Sequence, residues 1–350
     1  MGQNSVNKKK TNWWKWLLML ACSIILLFFA FKGVKWSDFV EGLESSNFWW
    51  IGAAMAVSIL GFIIRAFRWR IIMLPLNKNI TRKEAFDGVN IGYLTNFTIP
   101  RAGELARCGI ISNTGKASFE SIVGTVVLER TFDLICNALI ALTVFYLYWS
   151  QIGDFISHQL LGSLNSKLNL NIGWIMVILC LSLITIIILL YLYQNRLKKY
   201  KFFAKIFDFI KGIINGLTAG FKMKGKIVFF LYTILLWTCY WFMSFAIIKA
   251  FPATSSLGAS EALVVMLIGG FGWLVPVQGG IGAYHLIVSL AMTSLYALPK
   301  TAGIIFATIN HESETFTMLL FGIISLISVA IRNRKKENRK VNTYIDKYKK

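Results

Sequence analysis

The sequence NFTIPRAGELAR, from Asn96 to Arg107, interrupts an apolar segment that otherwise runs from Ala85 to Ile111. Proline cannot continue a helix and glycine weakens one, so Pro100 and Gly103 predict that one helix ends here and another begins after a turn. Irregular backbone cannot face lipid, because each unpaired amide or carbonyl in hydrocarbon costs several kcal/mol. The break is therefore predicted to line a cavity that is enclosed by protein or filled with water.

A second apolar segment, from Ala262 to Leu298, is broken in a similar way. Its interrupting residues are Gly269, Gly270, Gly272, Pro276, Gln278, Gly279, Gly280 and Gly282. Interrupted apolar segments at corresponding positions of two halves indicate the binding site in many transporters. The two breaks together are therefore the candidate binding site.

The composition of the 350-residue chain excludes a water-soluble core. Apolar residues make up 56% of the chain and charged residues 15%, and the mean hydropathy is +0.60, as is typical of an integral membrane protein. The formal charge of +21 would suit a nucleic-acid partner, but the basic residues flank apolar runs, so no such partner is expected. The five cysteines are scattered singly, which predicts neither a disulfide framework nor a zinc site.

Six segments reach, or nearly reach, the roughly 20 apolar residues that span a bilayer. They run from Trp14 to Phe31, Phe48 to Ile64, Ile122 to Tyr148, Ile172 to Tyr193, Ile227 to Ile248 and Gly303 to Ile331. No small-x-small cleavage site follows the first segment, so we expect a retained helix there and not a signal peptide.

The order of these segments predicts an all-α polytopic membrane protein with an inverted-topology repeat. If each broken segment is a re-entrant hairpin, both halves read helix, helix, hairpin, helix, over residues 14–149 and 171–331. Three crossings per half invert the second half relative to the first, and the hairpin tips could then meet near the midplane. The alternative is that the broken segments cross fully, which gives eight or more crossings. Residues 1–350 form a single transmembrane domain with a basic tail at 332–350.

Lysine and arginine in short loops set the orientation of a membrane protein. They are concentrated from Arg65 to Lys83 and from Arg196 to Lys226, so we expect these loops and both termini in the cytoplasm. The stretches expected outside are 32–47, 151–171 and 251–260. Apolar residues from Lys198 to Phe221 recur at helical spacing, which predicts an amphipathic helix that lies on the cytoplasmic leaflet or packs on the bundle.

The first break is predicted to bind an anion. A helix that begins near Pro100 and Gly103 would aim its free amides at the break, beside Arg101, with Arg107 further along the same helix. A guanidinium group can donate two parallel hydrogen bonds to two oxygens of one phosphate, so a phosphate is the natural ligand. The alternative is that the two arginines only pair with Glu104 and with Glu129 or Asp133 in the next helix.

Charged residues also occur deep in the third predicted span. Glu129, Arg130 and Asp133 follow Phe119 by about a dozen residues, or roughly 15 Å of helix rise. Glu129 and Asp133 share one helix face, where they could neutralise Arg101 or Arg107 and release them when phosphate arrives. A permanent network of salt bridges is the alternative.

The second break offers glycines and a histidine. Gly279, Gly280 and Gly282 could supply sharp turns and exposed amides for a phosphate, or could allow close helix packing, and His285 follows them. His311 and Glu314 lie one turn apart and could join His285 in a metal site. No HExxH pattern occurs and no further histidine lies on the same helix, so we expect satisfied polar contacts and no metal, with proton coupling by His285 or His311 as an alternative.

These motifs resemble those of the lysylphosphatidylglycerol synthase transmembrane-region family, whose members are also called flippase-like domain proteins. The resemblance lies in the stretch from Pro100 to Glu104 with Arg107, in Glu129-Arg130 with Asp133, and in Gly279-Gly280-Ile281-Gly282. It covers nearly the whole chain. In two-part bacterial members such a domain flips an aminoacylated phosphatidylglycerol that a separate cytosolic domain makes. No synthase domain is expected here, so the resemblance implies the flippase part alone.

The sequence departs from the family pattern at two positions. Gln278 stands where the second motif commonly has proline, and His285 stands where an acidic residue commonly follows the last glycine. The resemblance therefore does not imply a site for a cationic headgroup built on that acid.

We therefore predict a flippase-like lipid translocator in the plasma membrane, without enzymatic activity or a cofactor. Its ligand would be a phosphate-bearing membrane lipid, and its protein partners a second copy of the chain or a separate lipid-modifying enzyme. One alternative is a membrane transferase acting on a lipid-linked substrate, with Glu104, Glu129 or His285 as general base, which would form product from a purified donor and acceptor. The other is a non-transporting subunit for envelope assembly, in which Arg101→Ala and Glu129→Ala would leave lipid binding unchanged.

Overall fold

The computed structural model describes residues 13–149 and 222–348, together with Thr185, Tyr200 and Phe207. All regular secondary structure in this part of the chain is helical, which confirms the all-α prediction. The α-helices are α1 (Trp13–Phe31), α2 (Trp36–Glu44), α3 (Phe48–Met73), α4 (Arg82–Thr98), α5 (Gly103–Ser112), α6 (Phe119–Leu147), α7 (Lys226–Ala250), α8 (Ala259–Leu274), α9 (Ala283–Tyr296) and α10 (Lys300–Tyr348). Short 3-10 helices occupy Pro252–Thr254 and Gln278–Gly280.

Four of the described helices, α3, α6, α7 and α10, are long and apolar enough to cross a membrane. A fifth crossing results if α1 and α2, which are bent by 86° relative to each other, are counted as one span. These helices coincide with five of the six predicted spans. The sixth, from Ile172 to Tyr193, and the predicted amphipathic helix from Lys198 to Phe221 lie outside the described residues.

The helix limits differ from the predictions at three places. α3 continues past Ile64 to Met73, so Arg65 and Arg68 lie inside a helix and not in a cytoplasmic loop as predicted. The physical reason is that both arginines pair with the buried Glu129 and the partly buried Asp133 on α6. α2 forms within the stretch predicted as an external loop and buries Phe39. α10 extends through the basic tail to Tyr348, because this segment is rich in good helix formers such as lysine, arginine and glutamate.

Helices α3 and α7 form an antiparallel pair. At one end the Asn47 amide donates to the Ala250 carbonyl over 2.7 Å, and at the other end Gly225 lies beside Ile71. α10 packs along α4 and α9. It is tied to α4 by the ion pair between Arg332 and Asp87 at 2.8 Å.

The bundle therefore has one strongly basic end. The C-terminal end of α3, the N-terminal ends of α4 and α7, and the Arg332 region of α10 all lie there. Its basic residues include Arg70, Lys78, Arg82, Lys116, Lys224 and Arg332. Asn47 and the loop after Ala250 lie at the opposite end.

Both apolar segments that the sequence marks as broken are helical hairpins. α4 ends at Thr98, a turn follows through Pro100, and α5 begins at Gly103 and packs back on α4. Gly103 is needed because a Cβ atom at this position would collide with the Gly92 carbonyl oxygen of α4. α8 and α9 form the second hairpin in the same manner.

The tips of the two hairpins touch. The Phe97 ring lies so close to Gly279 that a Cβ atom on this glycine would be 2.6 Å from the ring. Arg101 has a left-handed backbone conformation, with φ of 64°, and its Nη2 donates to the Leu274 carbonyl over 3.2 Å. A guanidinium therefore caps the carbonyl end of α8, where the helix dipole favours positive charge. The two breaks therefore meet, as predicted, and their position near the midplane of the membrane stays a prediction.

Candidate functional site

Glu129 on α6 is the centre of a buried charge network. Its carboxylate is fully buried and lies 3.2 Å from Arg65 Nε, 3.0 Å from Arg68 Nη2 and 2.8 Å from Arg107 Nη2. Arg65 and Arg68 are three residues apart on α3 and therefore share a face. Arg107 approaches from α5, which the hairpin turn positions against α4. One carboxylate thus contacts three guanidinium groups from two helices.

Asp133, one turn after Glu129, extends the network. It lies 2.6 Å from Arg68 Nη2, 3.3 Å from Arg65 Nη2 and 3.5 Å from Arg130 Nη1. Arg130 also pairs with Glu104 at 2.6 Å, in a more exposed position. We call the set of Arg65, Arg68, Arg107, Arg130, Glu104, Glu129 and Asp133 the arginine cluster.

The arginine cluster carries an excess of positive charge. Four guanidinium groups face three carboxylates. Among the described residues, Arg107 Nε and two nitrogens of Arg68 are buried without a hydrogen-bond partner. Aromatic faces cover part of these groups, with Arg107 stacked 4.6 Å from the Trp69 ring centre. Buried donors without acceptors are costly, so the cluster is suited to receive an anion.

Two adjacent depressions border the arginine cluster. The smaller is a polar crevice whose lining includes Arg65, Arg107, Arg130, Tyr93 and Asn96. The larger is a groove of about 460 Å³ between α5 and α6, which we call the α5–α6 groove. Its walls are mostly apolar and comprise Leu105, Cys108, Val123, Val126, Val127, Thr131 and Leu134, with Glu104 and Arg130 as charged members. Glu104 and Arg130 line both depressions.

The structure brings five of the predicted site residues together: Glu104, Arg107, Glu129, Arg130 and Asp133. Arg107 pairs with Glu129, as the alternative of internal pairing anticipated. Arg101 has a different environment, because its exposed side chain binds the Leu274 carbonyl at the hairpin contact. Pro100 lies in the turn, and the Gly103 amide is not free, since it donates to Asn96 Oδ1 over 2.7 Å.

The glycines of the second break form sharp turns, as predicted. Gly279, Gly280 and Gly282 have φ values of 57°, 73° and 81°. All three are buried, and they pack against Phe97, the Trp273 ring and the backbone of α1. This arrangement corresponds to the close-packing alternative, and their described neighbours belong to the hairpin contact, to α1 and to His311 of α10.

His285 and His311 lie next to each other behind this turn. His311 Nε2 is 2.7 Å from the Gly279 carbonyl, and its Nδ1 is 2.8 Å from Glu312 Oε1. The predicted polar contacts are therefore confirmed for His311. His285 Nε2 is 3.7 Å from the same carboxylate oxygen, while its Nδ1 has no partner among the described residues. Glu312, and not the Glu314 of the metal site considered from the sequence, is the acid that lies beside both histidines.

Sequence reasoning missed Arg65, Arg68 and Tyr240. The Tyr240 hydroxyl accepts from Arg65 over 3.1 Å and supports the cluster from α7. A signal for the arginines was present, because apolar residues continue to Met73 after them. A helix of that length carries its first two arginines inside the bundle.

The similarity comparisons bear on family and not on substrate. No curated protein and no solved structure gives a significant match to this chain. The family model of the lysylphosphatidylglycerol synthase TM region matches residues 16–322, which include both hairpins and the arginine cluster. This multi-pass membrane protein therefore belongs to the family of the lysylphosphatidylglycerol synthase TM region.

Proposed function

We propose that this protein translocates a phosphate-bearing lipid between the leaflets of the plasma membrane. The observation that carries the proposal is the position of the α5–α6 groove, whose apolar walls lead to Arg130 and Glu104 at the edge of the arginine cluster. A lipid has the same two-part chemistry, an apolar chain and an anionic phosphate. Membership of the family supports the same assignment.

The mechanism needs no covalent step. Moving a charged headgroup through hydrocarbon is slow because the charge must lose its water. The net positive charge of the arginine cluster and the Arg107 Nε–H, which has no acceptor among the described residues, would compensate for part of the hydration that the headgroup loses. Glu129 and Asp133 hold the arginines while the site is free, and the phosphate would take over some of these contacts. We therefore propose a translocator and not an enzyme, driven by the lipid gradient, an ion gradient or a partner protein.

An inverted repeat is part of this proposal. The described elements support it, because α3, the α4–α5 hairpin and α6 occur in the same order as α7, the α8–α9 hairpin and α10. The antiparallel packing of α3 on α7 is the orientation that such a repeat requires. The contact of the hairpin tips would then lie at the repeat interface, where transporters bind their substrates.

We propose that the basic end of the bundle faces the cytoplasm, following the positive-inside rule. In a background with the five native cysteines replaced by serine, cysteines at the exposed positions Asn47 and Ser255 should react with an impermeant thiol reagent added to intact cells. A cysteine at the exposed Lys78 should react only after the membrane is permeabilised. Labelling of the Lys78 position in intact cells would contradict this orientation.

The lipid proposal is tested by native mass spectrometry of the protein extracted gently from its own membrane. We expect wild type to retain a discrete phospholipid or isoprenoid phosphate, and Arg107→Lys to lose it. Lysine keeps the charge beside Glu129 but lacks the guanidinium fork and its free Nε. The matched control is Arg332→Lys, which changes an ion pair with Asp87 outside the arginine cluster.

The retained lipid is then placed in proteoliposomes for a leaflet-exchange assay. Wild type and Arg332→Lys should flip it, and Arg107→Lys should be slower by roughly tenfold or more, as expected when about 1.4 kcal/mol of headgroup binding is lost. Equal, bulk-like lipid in all three proteins would remove the phosphate site. Product formation from a lipid-linked donor would show a transferase instead.

A further inference from the structure

A second polar cluster lies apart from the arginine cluster, at the start of α9 and in the first half of α10. His285, His311 and Glu312 each present one ligand-type atom here, and these three atoms all lie within 4.8 Å of one another. Both histidines are buried, whereas the Glu312 side chain is 53% exposed. The proposed translocation does not use these groups.

Hydrogen bonding determines which nitrogen of the His311 ring carries the hydrogen. The Gly279 carbonyl can only accept, so His311 Nε2, at 2.7 Å, must carry a hydrogen. A neutral imidazole then has its lone pair on Nδ1, which faces the Glu312 carboxylate oxygen at 2.8 Å. Two acceptors at this distance repel each other unless a positive ion lies between or beside them.

His285 brings a third ligand-type atom to the same point. Its Nε2 lies 3.7 Å from Glu312 Oε1, and its Nδ1 is buried without a partner in the described part of the chain. A single proton shared by His311 and Glu312 would satisfy that pair but would leave His285 without a role. A metal ion would use all three side chains.

We propose that His285, His311 and Glu312 bind a divalent transition metal of the zinc class. Two imidazole nitrogens and one carboxylate oxygen are a ligand set that zinc accepts, and a metal-binding histidine typically donates its second ring N–H to a backbone carbonyl, as His311 does to Gly279. Ligand atoms at about 2.1 Å from zinc lie roughly 3.4 Å apart, so the His311–Glu312 separation of 2.8 Å must widen by about 0.6 Å, and a separation of up to 4.8 Å must shorten by at most about 1.4 Å. The exposed Glu312 side chain has the freedom to do so.

This inference departs from the expectation drawn from the sequence, which was satisfied polar contacts and no metal. The bound ion would join α9 to α10 and hold the Gly279 turn through His311. It would thereby fix the second hairpin at the point where its tip contacts Phe97.

The test measures metal on the full-length protein, purified in detergent without a histidine tag. The protein is stripped with a chelator, dialysed against zinc and then against buffer, and its zinc content is determined by mass spectrometry. We expect one zinc ion per chain in wild type. His285→Ala and Glu312→Gln should each weaken zinc binding by at least about tenfold. Glu314→Gln, the same exchange on the same helix, should retain the zinc.

A measurement on wild type alone keeps the proposal testable if a variant fails to fold. X-ray absorption at the zinc edge should show imidazole nitrogen and oxygen neighbours. Sulfur neighbours would instead assign the zinc to cysteines and overturn the site. Wild type without retained zinc, or equal zinc in wild type and the His285→Ala and Glu312→Gln variants, would also overturn it. None of these outcomes depends on lipid movement, so the metal site and the proposed function can fail separately.

Discussion

Replacing Glu129 with glutamine should destabilise this protein by about 3–5 kcal/mol, the usual cost of removing one partner from a buried charge pair. The carboxylate is fully buried and contacts Arg65, Arg68 and Arg107 at 3.2 Å or less. Without it, the partly buried Asp133 is the remaining acid that contacts Arg65 and Arg68, and Arg107 loses its acidic partner. The measurement is the midpoint of thermal unfolding in detergent, together with the amount of protein in the membrane.

Glu104→Gln is the matched control for this prediction. The same chemical change removes a single, partly exposed pair with Arg130, for which a loss of about 1 kcal/mol or less is expected. If Glu129→Gln unfolds at the wild-type temperature, the arginines do not depend on this carboxylate, and the charge network described above does not stabilise the fold.

Replacing Gly103 with alanine should both destabilise the protein and abolish lipid translocation. The new Cβ atom would collide with the Gly92 carbonyl oxygen and with the Asn96 amide, and a backbone atom cannot rotate away. Such overpacking costs about 1–3 kcal/mol. The simplest relief is to move α5 away from α4, which would carry Arg107 away from Glu129. Thermal unfolding and the leaflet-exchange assay measure the two effects.

Gly109→Ala supplies the control on the same helix. No atom lies within 4 Å of the Cβ that this change adds. The free energy of unfolding should therefore be unchanged or rise by at most about 1 kcal/mol, because alanine is favoured over glycine in a helix. Wild-type translocation by Gly103→Ala would show that close contact of α4 and α5 is not required.

The elements that could be predicted from the sequence are those that a local pattern determines. Apolar length predicted the spans, because every residue along a membrane-spanning helix faces either lipid or the protein interior. Pro100 and the glycines of the second break marked the hairpins, because proline and positive φ angles interrupt a helix wherever they occur. Glu129 and Asp133 could be predicted to face the same arginines, because residues one turn apart share a helix face.

The remainder depends on contacts between distant parts of the chain. Arg65 and Arg68 look like loop residues that obey the positive-inside rule, and only the acids of α6 reveal them as internal. Helical spacing placed Glu314 one turn from His311, whereas Glu312, the next residue, lies beside both His311 and His285. Arg101 donates to a carbonyl 173 residues away, a contact that no local pattern indicates, and its predicted role in phosphate binding stays a prediction.

The length of α10 determines how much of this helix a bilayer can cover. Its 49 residues correspond to roughly 74 Å, more than twice the hydrocarbon thickness of a bilayer. Arg332 is bound to α4 partway along the helix, and His311 lies about 32 Å from that point. The stretch between these two points is held along α4, since Gly322 lies against Leu94 and the Phe321 ring lies against the Phe86 ring. A helix of this length cannot lie wholly within the hydrocarbon of a bilayer, so we expect its basic residues after Arg332 to project past the membrane surface as a helical arm.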